Sequence, residues 1–186
     1  MSVRDGLLAV LSLGEGYGLQ LHSELAARAP HRRPVNVGQI YSTLERLARS
    51  GLVEPAGTTV DSLPLYRLTD TGAAAARFWM SEPVLDGLPE WTEMLDQVLV
   101  TSSIDPVAAK IMSERYRRWW EGDLAGTRSE VEPTQADARL ALVAREAQAV
   151  AAIAWLGSAI AALVDYDSFR PLSHSRPKRG RRVAAR

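Results

Sequence analysis

Apolar residues recur at helical spacing through most of this chain, and the places where that rhythm breaks divide it into elements. In "VRDGLLAVLSL", Leu7, Leu8, Leu11 and Leu13 stand close to i, i+3 and i+4, which predicts a first helix closed by Gly14. "GLQLHSELAARA" puts Leu19, Leu21 and Leu25 largely on one side and stops before Pro30, a second helix. "NVGQIYSTLERLARSGLVE" is a third, with Pro34 and Asn36 before it and Gly51 after it. The period then shortens. "LVEPA" and "PLYRLT" are short β-rich runs on either side of the turn-like "GTTVDSL", a hairpin signal. "TDTGAAAARFWM" returns to helix with Thr69 or Asp70 as its N-cap.

Beyond Pro83 the pattern changes to longer helices without strands. "LPEWTEMLDQVLV" is one, and "PVAAKIMSERYRRWWEGDLAGTRSEV" another, opened by Pro106 in its first turn. A third runs from about Thr134 to Asp167; residues 149–164 of it carry no charge and only Ser158 as a polar residue. A helix apolar all round is buried all round, here in an interface between two chains, and Ala154, Ser158 and Ala162 at four-residue spacing allow a second helix to approach closely. The uncharged run falls short of the ~20 residues that span a bilayer, so no membrane is expected.

Three short helices followed by a hairpin is the order of a winged helix-turn-helix, with the third helix as the reading helix and the hairpin as the wing. The fold class expected is therefore mainly α: an N-terminal winged helix-turn-helix of three helices plus a two-stranded wing, followed by a long-helix C-terminal dimerisation domain. The domains read as residues 1–82, residues 83–168 and a disordered basic tail at 169–186.

On a helical wheel of the third helix, Leu44, Leu47 and Ala48 gather around Ile40 as a core stripe, with Tyr41 at its edge. Gln39, Ser42 and Arg46 fall opposite, flanked by Thr43 and Arg49. Arg bonds guanine bidentately, Gln does so with adenine, and hydroxyls serve bases or phosphates, so this face carries major-groove chemistry. Any solvated helix face can hold the same residue types, and it is the winged order around the helix that favours the reading of DNA.

The charge balance first argues against nucleic acid, because 22 Lys and Arg meet 22 Asp and Glu. Its distribution reverses that. Residues 1–72 carry 7 positive and 7 negative side chains, 73–172 carry 9 and 15, and 173–186 carry 6 and 0. Within the 22 residues from 28 to 49, Arg28, Arg32, Arg33, Arg46 and Arg49 stand against Glu45 alone, a local basic patch. The tail either adds non-specific phosphate contacts or is an idle solvated terminus.

"LLAVLSLGEGYGLQL", "RPVNVGQIYSTLERLARSGLVE" and "LYRLTDTG" resemble the three signature blocks of the PadR-type transcriptional regulators, in order and at the family's spacing, over roughly residues 5–80. The resemblance implies a dimeric bacterial repressor with an N-terminal winged helix, binding a double-stranded DNA operator and often answering to a small molecule. The DNA-contacting positions it implies are Tyr17, Asn36, Gln39, Tyr41, Ser42 and Thr43, to which the wheel adds Arg46. The chain departs from the pattern at Leu19, where an aromatic is usual, and at Ser42, where proline is common. Its wing offers only Arg67, with Asp61 near the tip, so Arg28, Arg32 and Arg33 are expected to supply phosphate contacts instead. The layout after residue 84 is similar to the helical C-terminal domain of relatives akin to virulence activators.

Five tryptophans raise a ligand reading. Trp79, Trp119, Trp120 and Trp155 could bind a small aromatic or hydrophobic effector, or could simply fill the helical core. Trp119 and Trp120 are adjacent and so point about 100° apart, which makes one of them core and the other the better ligand candidate. The chain has no cysteine, and His22, His31 and His174 lack metal-ligand spacing. No nucleotide loop or nucleophile elbow is present, so neither an enzyme nor a cofactor is expected. With no signal-peptide pattern at its start, the protein reads as cytoplasmic. The alternative from another class is a winged helix used for protein interaction without sequence-specific DNA binding.

Overall fold

The computed structural model describes residues 3–32, 35–85, 87–129 and 134–173. Most of the basic tail expected from the sequence, residues 174–186, lies outside the described residues. Two compact units are present: one holds the described residues up to Ala75 together with 171–173, the other Ala76–Arg170. The boundary falls inside a helix, and the short segment 171–173, which the sequence pattern places in the tail, belongs with the N-terminal unit.

In that unit, α1 (Val3–Leu11), α2 (Gly18–Arg28) and α3 (Val37–Arg49) pack around Leu7, Leu8, Val10, Leu21, Leu25, Ile40, Leu44 and Leu47, all buried. The third helix begins where its sequence says. Asn36 stands at the N-cap in extended backbone, and its side chain accepts from Gly38 N at 2.8 Å. It ends at Gly51, whose φ of +69° is the left-handed C-terminal conformation that favours glycine, with Leu52 N returning to Leu47 O at 3.0 Å.

The wing is β2 (Val53–Thr58) and β3 (Pro64–Leu68), antiparallel, pairing Val53 with Leu68 and Glu54 with Arg67. The ladder is irregular between Pro55 and Thr58, where Gly57 has φ +101°. Pro55 is tolerated because β2 is an edge strand. A third strand, β1 (Gly16–Tyr17), pairs with the other side of β3, Gly16 opposite Tyr66 and Tyr17 opposite Leu65. The sheet is thus three-stranded, one strand more than the hairpin pattern predicts; two residues are too few to show alternation.

The start of α4 (Asp70–Ser81) is tied to the end of α3. Thr69 Oγ1 donates to Gly51 O at 2.7 Å and accepts from Gly72 N at 3.1 Å, so it is Thr69 that caps the helix. Gly72 lies so close to the chain at Leu52 that a Cβ there would stand 1.8 Å from Leu52 O.

The second unit is built from α5 (Trp91–Ser102), α6 (Pro106–Ser129) and α7 (Ala136–Asp165). Met94, Val98, Met112, Tyr116, Trp120, Ala149, Ala152 and Leu156 form its core. A polar knot fixes the segment leading into it: Gln97 Nε2 donates to the carbonyls of Trp79 and Glu82, Tyr116 Oη donates to Gln97 Oε1, and Val84 N donates to Tyr116 Oη at 3.0 Å. Among the described residues α7 is the one helix long and apolar enough, by length and composition, to cross a membrane. It packs on α6 through one face only; Leu140, Val143, Ala147, Val150, Ala154, Ala161 and Val164 are exposed.

Candidate nucleic-acid interface

The core stripe of α3 leaves Gln39, Ser42, Glu45, Arg46 and Arg49 exposed. Ser42 Oγ donates to Gln39 O at 3.1 Å. Thr43 differs from the wheel's placement: it is 2 % exposed, its Oγ1 donating to Gln39 O at 2.7 Å and accepting from Arg46 Nη2 at 3.0 Å. The hydroxyl therefore aligns the arginine from behind, and no face of Thr43 is open to a partner. Arg4 of α1 shares a surface depression with Thr43 and Arg46, a cation that helical periodicity did not associate with this face.

Tyr17 and Tyr41 are half-buried. Tyr17 ends β1 and occupies the N-cap position of α2. The ring of Tyr41 lies against Gly18, and Tyr66 of β3 stands close by. Burial, then the proximity of Tyr41 and Glu45, raises the Tyr66 phenol above its ordinary pKa, which keeps it a neutral hydrogen-bonding group. Nothing in the sequence pattern singled out Tyr66; only the fold of the wing onto α3 brings it here.

The arginines before α3 divide. Arg28 is buried, bonded to Glu24 Oε2 at 2.9 Å with side-chain exposures of 0 % and 7 %, so it cannot join the basic patch expected of it. Arg32 is half-buried beside His22, whose Nε2 lies 2.7 Å from Val35 O. Arg33 lies outside the described residues. On the wing, Arg67 is exposed but bonded to Glu54 Oε1 at 2.8 Å. The face offered by this unit is thus led by Gln39, Ser42 and Arg46, with Asn36 at its edge and little free positive charge on the wing.

Residues 7–77 match the family model described as "Transcriptional regulator PadR-like family". The match identifies a PadR-like regulator domain over those residues. No curated protein matches it in sequence. Among solved structures, it is similar to Bacillus subtilis PadR in complex with operator DNA, at 19 % identity and TM-score 0.40, covering 88 % of this chain and 99 % of that one. It is also similar to the PadR-like transcriptional regulator BC1756 from Bacillus cereus, at 21 % and 0.38, covering 88 % and 98 %. The Vibrio cholerae virulence activator AphA matches at 18 % and 0.38, covering 88 % and 98 %. The PadR-like match runs from within α1 through most of α4.

The tryptophans of the second unit take different places. Trp120 is wholly enclosed in the core and Trp79 nearly so, while Trp119 is half-buried and meets Trp120 edge to face at 5.1 Å. Trp155 stacks edge-on with Trp91 at 5.9 Å and lines an apolar depression of about 380 Å³ with Val98, Leu99 and Tyr166. Of the four tryptophans considered as ligand residues, Trp155 has open space beside it and Trp120 has none.

Proposed function

We propose that the protein is a homodimeric, sequence-specific DNA-binding repressor of the bacterial cytoplasm. The observation that carries this is the exposed face of α3, where Gln39, Ser42 and Arg46 stand together with Arg46 steered by Thr43. Gln and Arg on one exposed helix face suit adenine and guanine edges in a major groove. Asn36, Tyr17 and Tyr41 border that face and position the backbone. In a dimer, two such helices enter successive major grooves of a pseudo-palindromic operator, about one helical turn apart.

The dimer reading draws on α7. Leu140, Val143, Ala147, Val150 and Ala154 follow alternating steps of three and four, and Ala161 and Val164 continue the same face one heptad on, a seam of mostly small apolar residues. A second copy of the same helix fits such a seam, and most of these side chains are small enough for close approach. A small aromatic or hydrophobic effector in the depression beside Trp155 would act by binding one arrangement of the dimer more tightly than another. The test of the DNA reading is selection of bound fragments from a random duplex pool by the full chain. Enrichment of an inverted repeat supports it, and an unenriched pool rejects it.

A further inference from the structure

The depression beside Trp155 lies at one end of the second unit, where two helices stop side by side. Val98, Leu99 and Ser102 from the last turn of α5 form one wall, and Ala159, Ala162 and Leu163 near the end of α7 form another, around a volume of about 380 Å³. That size is ordinary for a small-molecule site. Trp155 and Tyr166 add two aromatic rings, and none of the lining residues carries a charge.

The polar groups here are of one kind. Three serines line the depression, and each commits its hydroxyl proton to a backbone carbonyl: Ser102 Oγ donates to Leu99 O at 2.8 Å, Ser158 Oγ to Ala154 O at 3.1 Å, and Ser168 Oγ to Ser102 O at 2.7 Å. What these hydroxyls have left for a ligand is lone pairs, which accept. The helix ends act in the same direction. Neither α5 nor α7 has a basic residue in its last turn, so the negative end of each helix dipole is uncompensated. Tyr166 N closes the last turn of α7 on Ala162 O, and the carbonyls of residues 163–165 beyond it have no partner within the helix. Asp165 and Asp167, on either side of Tyr166, are both exposed. The next basic residue along this segment, Arg170, is not among the lining residues. An anion placed here meets lone pairs, two negative helix ends and two carboxylates; a cation is favoured by all of these and by the aromatic rings.

We propose that this depression binds a small organic cation with a flat apolar body, an aromatic compound bearing an ammonium group, and disfavours aromatic carboxylates. This names the chemical class of the effector and rests on the reading that an effector binds beside Trp155.

The test is calorimetric titration of the full chain, at neutral pH and low salt, with three probes that share one ring system: naphthylmethyl-trimethylammonium, naphthylmethanol and naphthoate. The parent should bind the ammonium about tenfold more tightly than the carboxylate, with the alcohol between them. Asp165→Lys combined with Asp167→Lys reverses two exposed charges at the rim and should cut that preference to about threefold or less, leaving the affinity for the alcohol unchanged. Ala159→Phe fills the depression from its wall and should weaken all three probes, with a melting curve to show that it folds; the paired lysine variant reads the charge preference however Ala159→Phe behaves. Equal affinity for ammonium and carboxylate, tighter binding of the carboxylate, or a preference that survives the paired lysines overturns the cation site. Parent-like binding by a folded Ala159→Phe protein overturns its location. If the alcohol binds and the ammonium is not preferred, the cation site alone fails; if the parent binds none of the three, the effector reading fails with it.

Discussion

The ring of Tyr41 fills the space that a side chain on Gly18 would need: a Cβ there would stand 2.5 Å from Tyr41 Cε1 and 2.6 Å from Cζ. The first residue of α2 is thus matched to a ring on α3, and the position of that ring is set by the absence of atoms opposite it. Gly18→Ala should push the ring aside, since its far end can move, and should change unfolding free energy by about 1 kcal/mol or less because Ala also favours the helix. DNA affinity should fall several-fold. Gly72→Ala is the contrast. Its Cβ would meet Leu52 O at 1.8 Å, a backbone atom that cannot swing away, and should destabilise the fold by about 3 kcal/mol. Denaturant titrations and duplex binding on both variants check the pair.

Thr43→Val keeps the volume of a buried side chain but removes the oxygen that accepts from Arg46 Nη2. The expected result is a weaker complex in which the loss tracks that of Arg46→Ala, because the hydroxyl acts through the arginine. Gln39→Ala, by contrast, should cost about 1 to 3 kcal/mol on the preferred duplex and much less on a random one. Titration of both duplexes separates a base-reading residue from one that steers its neighbour.

Burial raises the Tyr116 phenol from 10.0 to about 12, with the Val84 N–H opposing and Glu93 adding to the shift. A proton held more tightly in the folded state stabilises fully below pH 10, and that contribution is lost as pH rises from 10 towards 12. The parent should therefore lose about 2 kcal/mol more than Tyr116→Phe over that interval. At neutral pH the Phe variant should be less stable by roughly 1 to 3 kcal/mol, since Gln97 Oε1 and Val84 N lose their partner. Urea unfolding at neutral pH and through pH 10 to 12 measures both effects.

Val150 and Ala154 lie at the middle of the exposed seam of α7. Val150→Glu should leave the fold intact and convert the proposed dimer to monomer in sedimentation, with a large loss of duplex affinity. A dimer that survives Val150→Glu would move the interface away from α7.

Much of this arrangement is legible in the sequence because local signals and periodicity agree. Asn36 and Gly51 bound α3 by cap chemistry, and the turn-like run that begins at Gly57 leaves Thr59 to Leu63 between the two strands. What escapes is long-range. Glu24 and Arg28 read as an ordinary pair one turn apart, yet they are buried because a segment more than 140 residues later covers them. Thr43 sits at the edge of the wheel, where a few degrees decide exposure, and the depression it shares with Arg4 of α1 lies on that side. The strand at Gly16–Tyr17 is too short to have a pattern, and Tyr66 is brought to α3 only by the pairing of β3 between its two neighbours.

The function proposed for this protein turns on whether the exposed face of α3 reads bases. Selection from random duplex DNA, run in parallel with the parent chain and with Gln39→Ala, tests it most directly. The parent should enrich an inverted repeat with half-sites about one helical turn apart, and the variant should lose preference at one base pair in each half-site. A parent pool without enrichment, or a variant whose enriched sequence is identical to the parent's, would contradict it.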